Sequence, residues 1–223
     1  LAKYALKDFA GAIADQTQAI AINPAYSNAY NDRGMVYYRQ NNYTAALNDY
    51  NAAIKNDPAY FLAYKNRATV QVALKNYAAA DNDYTKCIEL KPEDADGYLG
   101  RGSMKSIQNN YAEAISFYDK AIQYEPNNAV TFLNRGNAKY ALKDTKGALP
   151  DYIKVSQLQP NNVNVYFNLG TIYMTQNKSN EAIEAFKKYN SGLPNEWSGY
   201  KNTADVYYTQ LKQYDQAEIY YNK

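Results

Sequence analysis

Six of the seven prolines stand at Pro24, Pro58, Pro92, Pro126, Pro160 and Pro194, each 34 residues after the last, with no gap or insertion. A strict period of this length means that one supersecondary unit is repeated along the chain. With the proline set as position 32, position 8 is small throughout: Gly34, Ala68, Gly102, Gly136, Gly170 and Ala204. Position 20 is Ala12, Ala46, Ala80, Ala114, Ala148 and Ala182. Position 4 is aromatic, at Tyr30, Tyr64, Tyr98, Phe132, Tyr166 and Tyr200, and position 24 reads Gln16, Tyr50, Tyr84, Tyr118, Tyr152 and Phe186. Small residues at 8 and 20 let two helices of one repeat approach closely, and the aromatics fill the space between helices. Proline at 32 cannot continue a helix and sets the turn to the next repeat. The spacing predicts a helix A over positions 1–14 and a helix B over 17–30, as in 27–40 and 43–56. Asn-rich turns such as Gln40-Asn41-Asn42 separate the two.

This order of aromatic, small, small, aromatic and proline resembles the tetratricopeptide repeat (TPR), and the resemblance spans essentially the whole chain. It implies an all-α TPR solenoid, a right-handed superhelix of antiparallel helix pairs with about six and a half repeats. The expected organisation is one array over 1–223: a partial repeat 1–26, then 27–60, 61–94, 95–128, 129–162, 163–196 and 197–223. One hairpin cannot bury its apolar face alone, so neighbours are expected to share a continuous core. Leu1 falls at position 9, and Ala217 stands one residue late, which places an extra residue in the last A–B turn. The chain is therefore expected to be a fragment of a longer one, or to pack its uncapped ends on neighbours. Any signal peptide would lie outside these residues.

Composition removes several classes of chemistry. There is no His and one Cys, Cys87, which excludes Ser-His-Asp and Cys-His catalysis, most zinc sites and an internal disulfide. No cofactor or metal is expected. The net charge of +2 gives no basic stripe for nucleic acid, and no run of 18 apolar residues exists to insert in a membrane. Against these absences stand 26 Tyr in 223 residues, side chains that suit half-buried faces and binding surfaces.

In TPR proteins helices A line a concave groove, and the resemblance places positions 2, 5, 6, 9, 12 and 13 there. Position 6 reads Asp32, Asn66, Gly100, Asn134, Asn168 and Asn202. An Asn carboxamide both donates and accepts, so one side chain pairs with the N–H and C=O of an extended peptide. The pattern is similar to the asparagine ladder in the TPR superhelix of O-linked N-acetylglucosamine transferase. Asp32 and Gly100 interrupt it, and Gly100 is expected to leave a gap that admits a ligand side chain. Asn31, Lys65, Asn137, Tyr38, Tyr140 and Tyr208 complete the candidate peptide groove, with Leu99, Leu133, Phe167, Val72 and Met174 making its middle more apolar. The alternatives are that the Asn are merely abundant and solvated and that the Tyr rings pack on the neighbouring helix A. A chaperone carboxylate clamp does not fit: Asn137 and Asn168 match, but Leu133, Ser198 and Asn202 stand where that family has cations.

Position 7 is Arg33, Arg67, Arg101 and Arg135, and position 23 is Asp49, Asp83, Phe117 and Asp151. The covariation predicts Arg33–Asp49, Arg67–Asp83 and Arg135–Asp151 pairs between helices A and B, partly exposed and contributing about 0–1 kcal/mol each. Pro150, at position 22, should bend helix B of its repeat or delay its start. Cys87 takes a position that is Ala in other repeats and reads as core. Glu93 and Asp94 sit beside a turn proline without a partner base, so no catalysis is expected. The leading expectation is a protein-interaction scaffold that holds an extended peptide or protein segment in the groove. The alternatives are the substrate-recruiting region of a larger multidomain enzyme, and a structural module that self-assembles end to end or through its groove.

Overall fold

The computed structural model describes residues 8–223, so the beginning of the partial first repeat lies outside the described residues. Within them the chain forms thirteen α-helices and no strand. Contacts cluster into two compact units, one ending at Gln108 and the other beginning at Asn109. The first holds α1 (Phe9–Ile22), α2 (Ser27–Arg39), α3 (Tyr43–Asn56), α4 (Phe61–Ala73), α5 (Tyr77–Leu90) and α6 (Ala95–Ile107). The second holds α7 (Tyr111–Tyr124), α8 (Ala129–Ala141), α9 (Thr145–Leu158), α10 (Val163–Thr175), α11 (Ser179–Gly192), α12 (Trp197–Val206) and α13 (Tyr214–Tyr221). Inside each unit every helix packs on the next, giving the all-α, helix-pair architecture of a TPR solenoid.

The boundaries follow from local chemistry. Asp8, Asn42 and Asp144 cap helices B by accepting from the backbone N–H of Gly11, Ala45 and Gly147 at 2.9, 3.2 and 2.8 Å. Helices A run to Arg39, Ala73 and their equivalents, one residue short of the predicted end. They close on a left-handed residue: Asn41, Lys75, Asn109, Lys143 and Asn177 all have φ between 55° and 66°. At the turn between repeats, the position-4 tyrosines act as latches. Tyr64, Tyr98 and Tyr166 donate their hydroxyls to the carbonyls of Pro58, Pro92 and Pro160 at 3.3, 2.9 and 3.1 Å. The sequence assigned those rings to filling space; their polar tips also fix the turn.

All six position-20 alanines are buried. At position 8 the fit is closer still. A Cβ built on Gly34, Gly136 or Gly170 would stand 2.8, 2.9 and 2.6 Å from the rings of Tyr50, Tyr152 and Phe186, the position-24 aromatics of the same repeats. Tyr50 and Tyr152 are 1% exposed and Phe186 is fully buried, so these rings anchor the core of each pair.

The three predicted ion pairs form, and their carboxylates are more buried than expected, with side-chain exposures of 7%, 7% and 2% for Asp49, Asp83 and Asp151. Each arginine forks onto both oxygens. Arg33 Nε and Nη2 donate at 2.8 and 2.7 Å, and those of Arg67 at 2.9 and 2.6 Å. The third guanidinium nitrogen reaches the preceding helix B, donating to Thr17, Asn51 or Asp119 at 3.0, 2.6 and 2.6 Å. Position 7 is thus a three-helix rivet. Arg101, whose repeat carries Phe117 at position 23, turns to Asp81 at 3.1 Å instead.

Two expectations about irregularities change. Of the two outcomes expected at Pro150, a bend or a late start, the late start does not occur: helix α9 spans the same 14 residues as the other complete helices B, because Asp144 caps it on schedule. The extra residue of the last repeat is not in the turn. It lies at the end of helix A, where Tyr207–Leu211 form a π-helical segment that closes on left-handed Lys212 (φ 57°). Gln210 holds this segment to the previous repeat, donating to the Met174 carbonyl and accepting from the Ser179 hydroxyl, both at 2.7 Å.

Cys87 is fully buried, and burial pushes its thiol up to about 12. A thiol-specific probe at pH 8 is expected to leave it unmodified until the protein is denatured. Arg67→Ala strands Asp83 in a dry site and should lower stability by on the order of 3 kcal/mol in urea titration. Lys143→Gly relieves a left-handed residue that carries a Cβ and should stabilise the fold by about 1 kcal/mol, read as a raised melting temperature.

Candidate functional site

The candidate groove residues lie on helices A, and the two units treat them differently. In the first, α2 and α4 bind their amides to one another. Asn31 is 2% exposed, its carbonyl oxygen accepts from Asn66 Nδ2 at 2.8 Å, and its own Nδ2 leans on Asp32 Oδ1 at 3.4 Å. Lys65 is occupied as well, in an ion pair with Asp96 of α6 at 2.5 Å. Tyr38 packs on Tyr43 of α3 with ring centroids 5.8 Å apart. Tyr38 also helps to line a cavity of about 120 Å³ with Met35, Arg39, Tyr50, Asn66 and Thr69.

The gap expected at Gly100 is not there. Gly100 is buried, and the ring of Tyr84 lies so close that a Cβ would stand 2.4 Å from it. The missing side chain makes room for the previous repeat's aromatic, not for a ligand.

In the second unit the position-6 amides are half-buried on α8, α10 and α12, which carry Asn134, Asn168 and Asn202. None of the three hydrogen-bonds within the described residues. Asn137, one turn on from Asn134, is taken: its carbonyl oxygen accepts from the Tyr152 hydroxyl at 2.8 Å. Beside the free amides, Leu133 and Phe167 turn toward the core. Leu133 packs on the Phe132–Tyr152 cluster, and Phe167 meets Phe186 and Tyr189 at centroid distances of 5.8 and 5.0 Å. Tyr140 and Tyr208 remain 38% and 52% exposed, Tyr208 edge-on to Tyr214 at 5.2 Å.

Sequence reasoning missed the Lys65–Asp96 pair, whose partners lie 31 residues apart at unlike positions of the frame. It also missed Asn190, 5% exposed, whose Oδ1 has no hydrogen-bond partner. The signal was present, since Asn190 stands where Ile54, Ile88 and Ile122 stand in other repeats. Among the described residues no group of three His, Cys, Asp or Glu is placed to hold a metal, and no helix is long and apolar enough to cross a membrane. What these faces offer is hydrogen-bonding amides and flat rings on a rigid helical support.

Three protein-family descriptions match the chain: tetratricopeptide repeat over residues 27–60 and again over 65–129, and TPR repeat over 136–177. Together they cover well over half of it. No curated protein sequence matches. Many solved structures share the fold. The pilF protein of Pseudomonas aeruginosa is 20% identical with a TM-score of 0.75, over 87% of this chain and 88% of that one. PilW, described as a widely conserved type IV pilus biogenesis factor, is 24% identical with a TM-score of 0.71, over 87% and 90% of the two chains. YrrB, described as a TPR protein with an unusual peptide-binding site, is 20% identical with a TM-score of 0.68, over 82% and 95%. Period, helix pairs, small-on-aromatic contacts and these matches agree, and the chain belongs to the tetratricopeptide-repeat family.

Proposed function

We propose that this chain is a protein-interaction scaffold whose second unit holds an extended polypeptide through the carboxamides of Asn134, Asn168 and Asn202. The observation that carries the reading is the contrast between units. Asn31 and Asn66 bind each other, whereas the three position-6 amides of α8, α10 and α12 have no partner although each is half-buried. Their polar atoms are not among the buried unpaired ones, so amides repeated at one position of successive helices A are open to a ligand that repeats its own donors and acceptors. A peptide backbone does so whatever its side chains. Tyr140 and Tyr208 add exposed rings for apolar contact at low entropic cost. The peptide-binding site described for YrrB shows that this fold supports such a role in another protein.

Affinity for one linear segment should be on the order of micromolar. Peptides selected from a phage-displayed random library against the immobilised protein provide the probe, with titration calorimetry as the readout. Asn134→Ala combined with Asn168→Ala should weaken the selected peptides by on the order of tenfold or more, since each amide contributes about 1 kcal/mol of hydrogen bonding. Unchanged affinity in the double variant would count against the groove.

A further inference from the structure

Charged residues make up 21% of the chain, yet α10 has none among its 13. In their place stands a stripe of neutral polar groups. Asn164, Asn168, Thr171 and Thr175 recur at i, i+4, i+7 and i+11, a spacing that puts all four on one face of the helix. Asn168 and Thr171 are half-buried, and Asn164 and Thr175 are exposed. The two hydroxyls donate back to the Phe167 and Ile172 carbonyls at 2.9 and 2.7 Å, so their oxygens remain as acceptors. The amides supply both donors and acceptors.

The helices on either side of α10 in the repeat order, α8 and α12, do carry charge, but the fold answers it. On α8 the charged residues are Arg135 and Lys139. Arg135 forks onto Asp151 and reaches Asp119 at 2.6 Å, and Lys139 donates to Asp151 at 2.8 Å. Two cations thus meet two carboxylates of helices B. On α12 the charged residues are Lys201 and Asp205, and they pair with each other one turn apart at 2.7 Å. The three helices that bear Asn134, Asn168 and Asn202 therefore offer hydrogen bonds without a net charge of either sign.

We propose that the polypeptide stretch taken by this face is itself uncharged, an extended segment of hydroxyl, amide and apolar side chains without Lys, Arg, Asp or Glu. A charged side chain laid against these helices would lose hydration and meet no counter-charge, unless it displaced a partner from a pair that already exists. Neutral side chains carry no such cost, and Ser, Thr, Asn and Gln find complementary groups in the α10 stripe. The inference rests on the reading of the second unit as a polypeptide-binding scaffold and adds the chemical class of what it binds.

The test uses the full chain and a phage-displayed library of random dodecapeptides. Selected peptides are sorted by whether Asn134→Ala combined with Asn168→Ala weakens them. In the sensitive group, charged residues should appear at less than half their frequency in the unselected library. The dissociation constant of the tightest sensitive peptide should change by less than threefold between 50 and 500 mM sodium chloride, because no ion pair is there to be screened. Charged residues at half the library frequency or more, or a change of threefold or more with salt, would overturn the proposal. Sensitive peptides that are charged leave the scaffold reading standing and remove this inference alone. A selection without any sensitive peptide removes both.

Discussion

The structure depends on the approach of an aromatic ring to a glycine α-carbon. Where Gly34 faces Tyr50, Gly136 faces Tyr152 and Gly170 faces Phe186, one added methyl group would overlap the ring. The glycine costs helix stability, about 1 kcal/mol relative to alanine. It returns a short distance between helices A and B and a ring almost fully removed from water. With that distance fixed, the other contacts fall into place. The position-7 arginine can reach two helices B at once, and the position-4 hydroxyl can reach the proline carbonyl. The ring of Tyr84 goes further and enters the following repeat against Gly100, so the same device also joins neighbours.

Electrostatics then adds specificity to a packing scheme that apolar contacts alone would leave degenerate. Asp49, Asp83 and Asp151 are buried at one repeating position, and the fork of the arginine accepts only one geometry. A buried pair of this kind adds little net stability, yet it penalises any sliding of one helix along the next. Replacement of Asp151's equivalent by Phe117 in the third full repeat releases Arg101, which finds Asp81. The pairing rule therefore bends locally without leaving a guanidinium stranded.

Much of this was legible in the sequence because it depends on period and side-chain volume. Helix positions, the small-aromatic contacts, the Arg–Asp pairs and the burial of Cys87 all follow from the 34-residue frame. What could not be read were contacts between unlike positions and choices among equal partners. Asn31 and Asn66 belong to different positions of successive repeats, and only coordinates show that they bind each other while Asn134 does not. The vacancy expected at Gly100 failed for a similar reason: an absent side chain reads as open space in sequence, and in three dimensions a close-packed interior fills it. Pro150 proved tolerable because its helix is nucleated upstream by the Asp144 cap.

The π-helical segment at Tyr207–Leu211 carries a lesson about length. Here the chain holds one residue more than its own rule allows, and the surplus widens a single coil of backbone instead of being expelled as a bulging loop. Beyond left-handed Lys212 the pattern resumes, with Ala217 buried as its counterparts are. What the architecture preserves is therefore angular phase, not arithmetic. Insertions at the end of a first helix are survivable so long as a side chain such as Gln210 is at hand to tether the widened coil, and arrays of this kind can lengthen by single residues without losing their stacking.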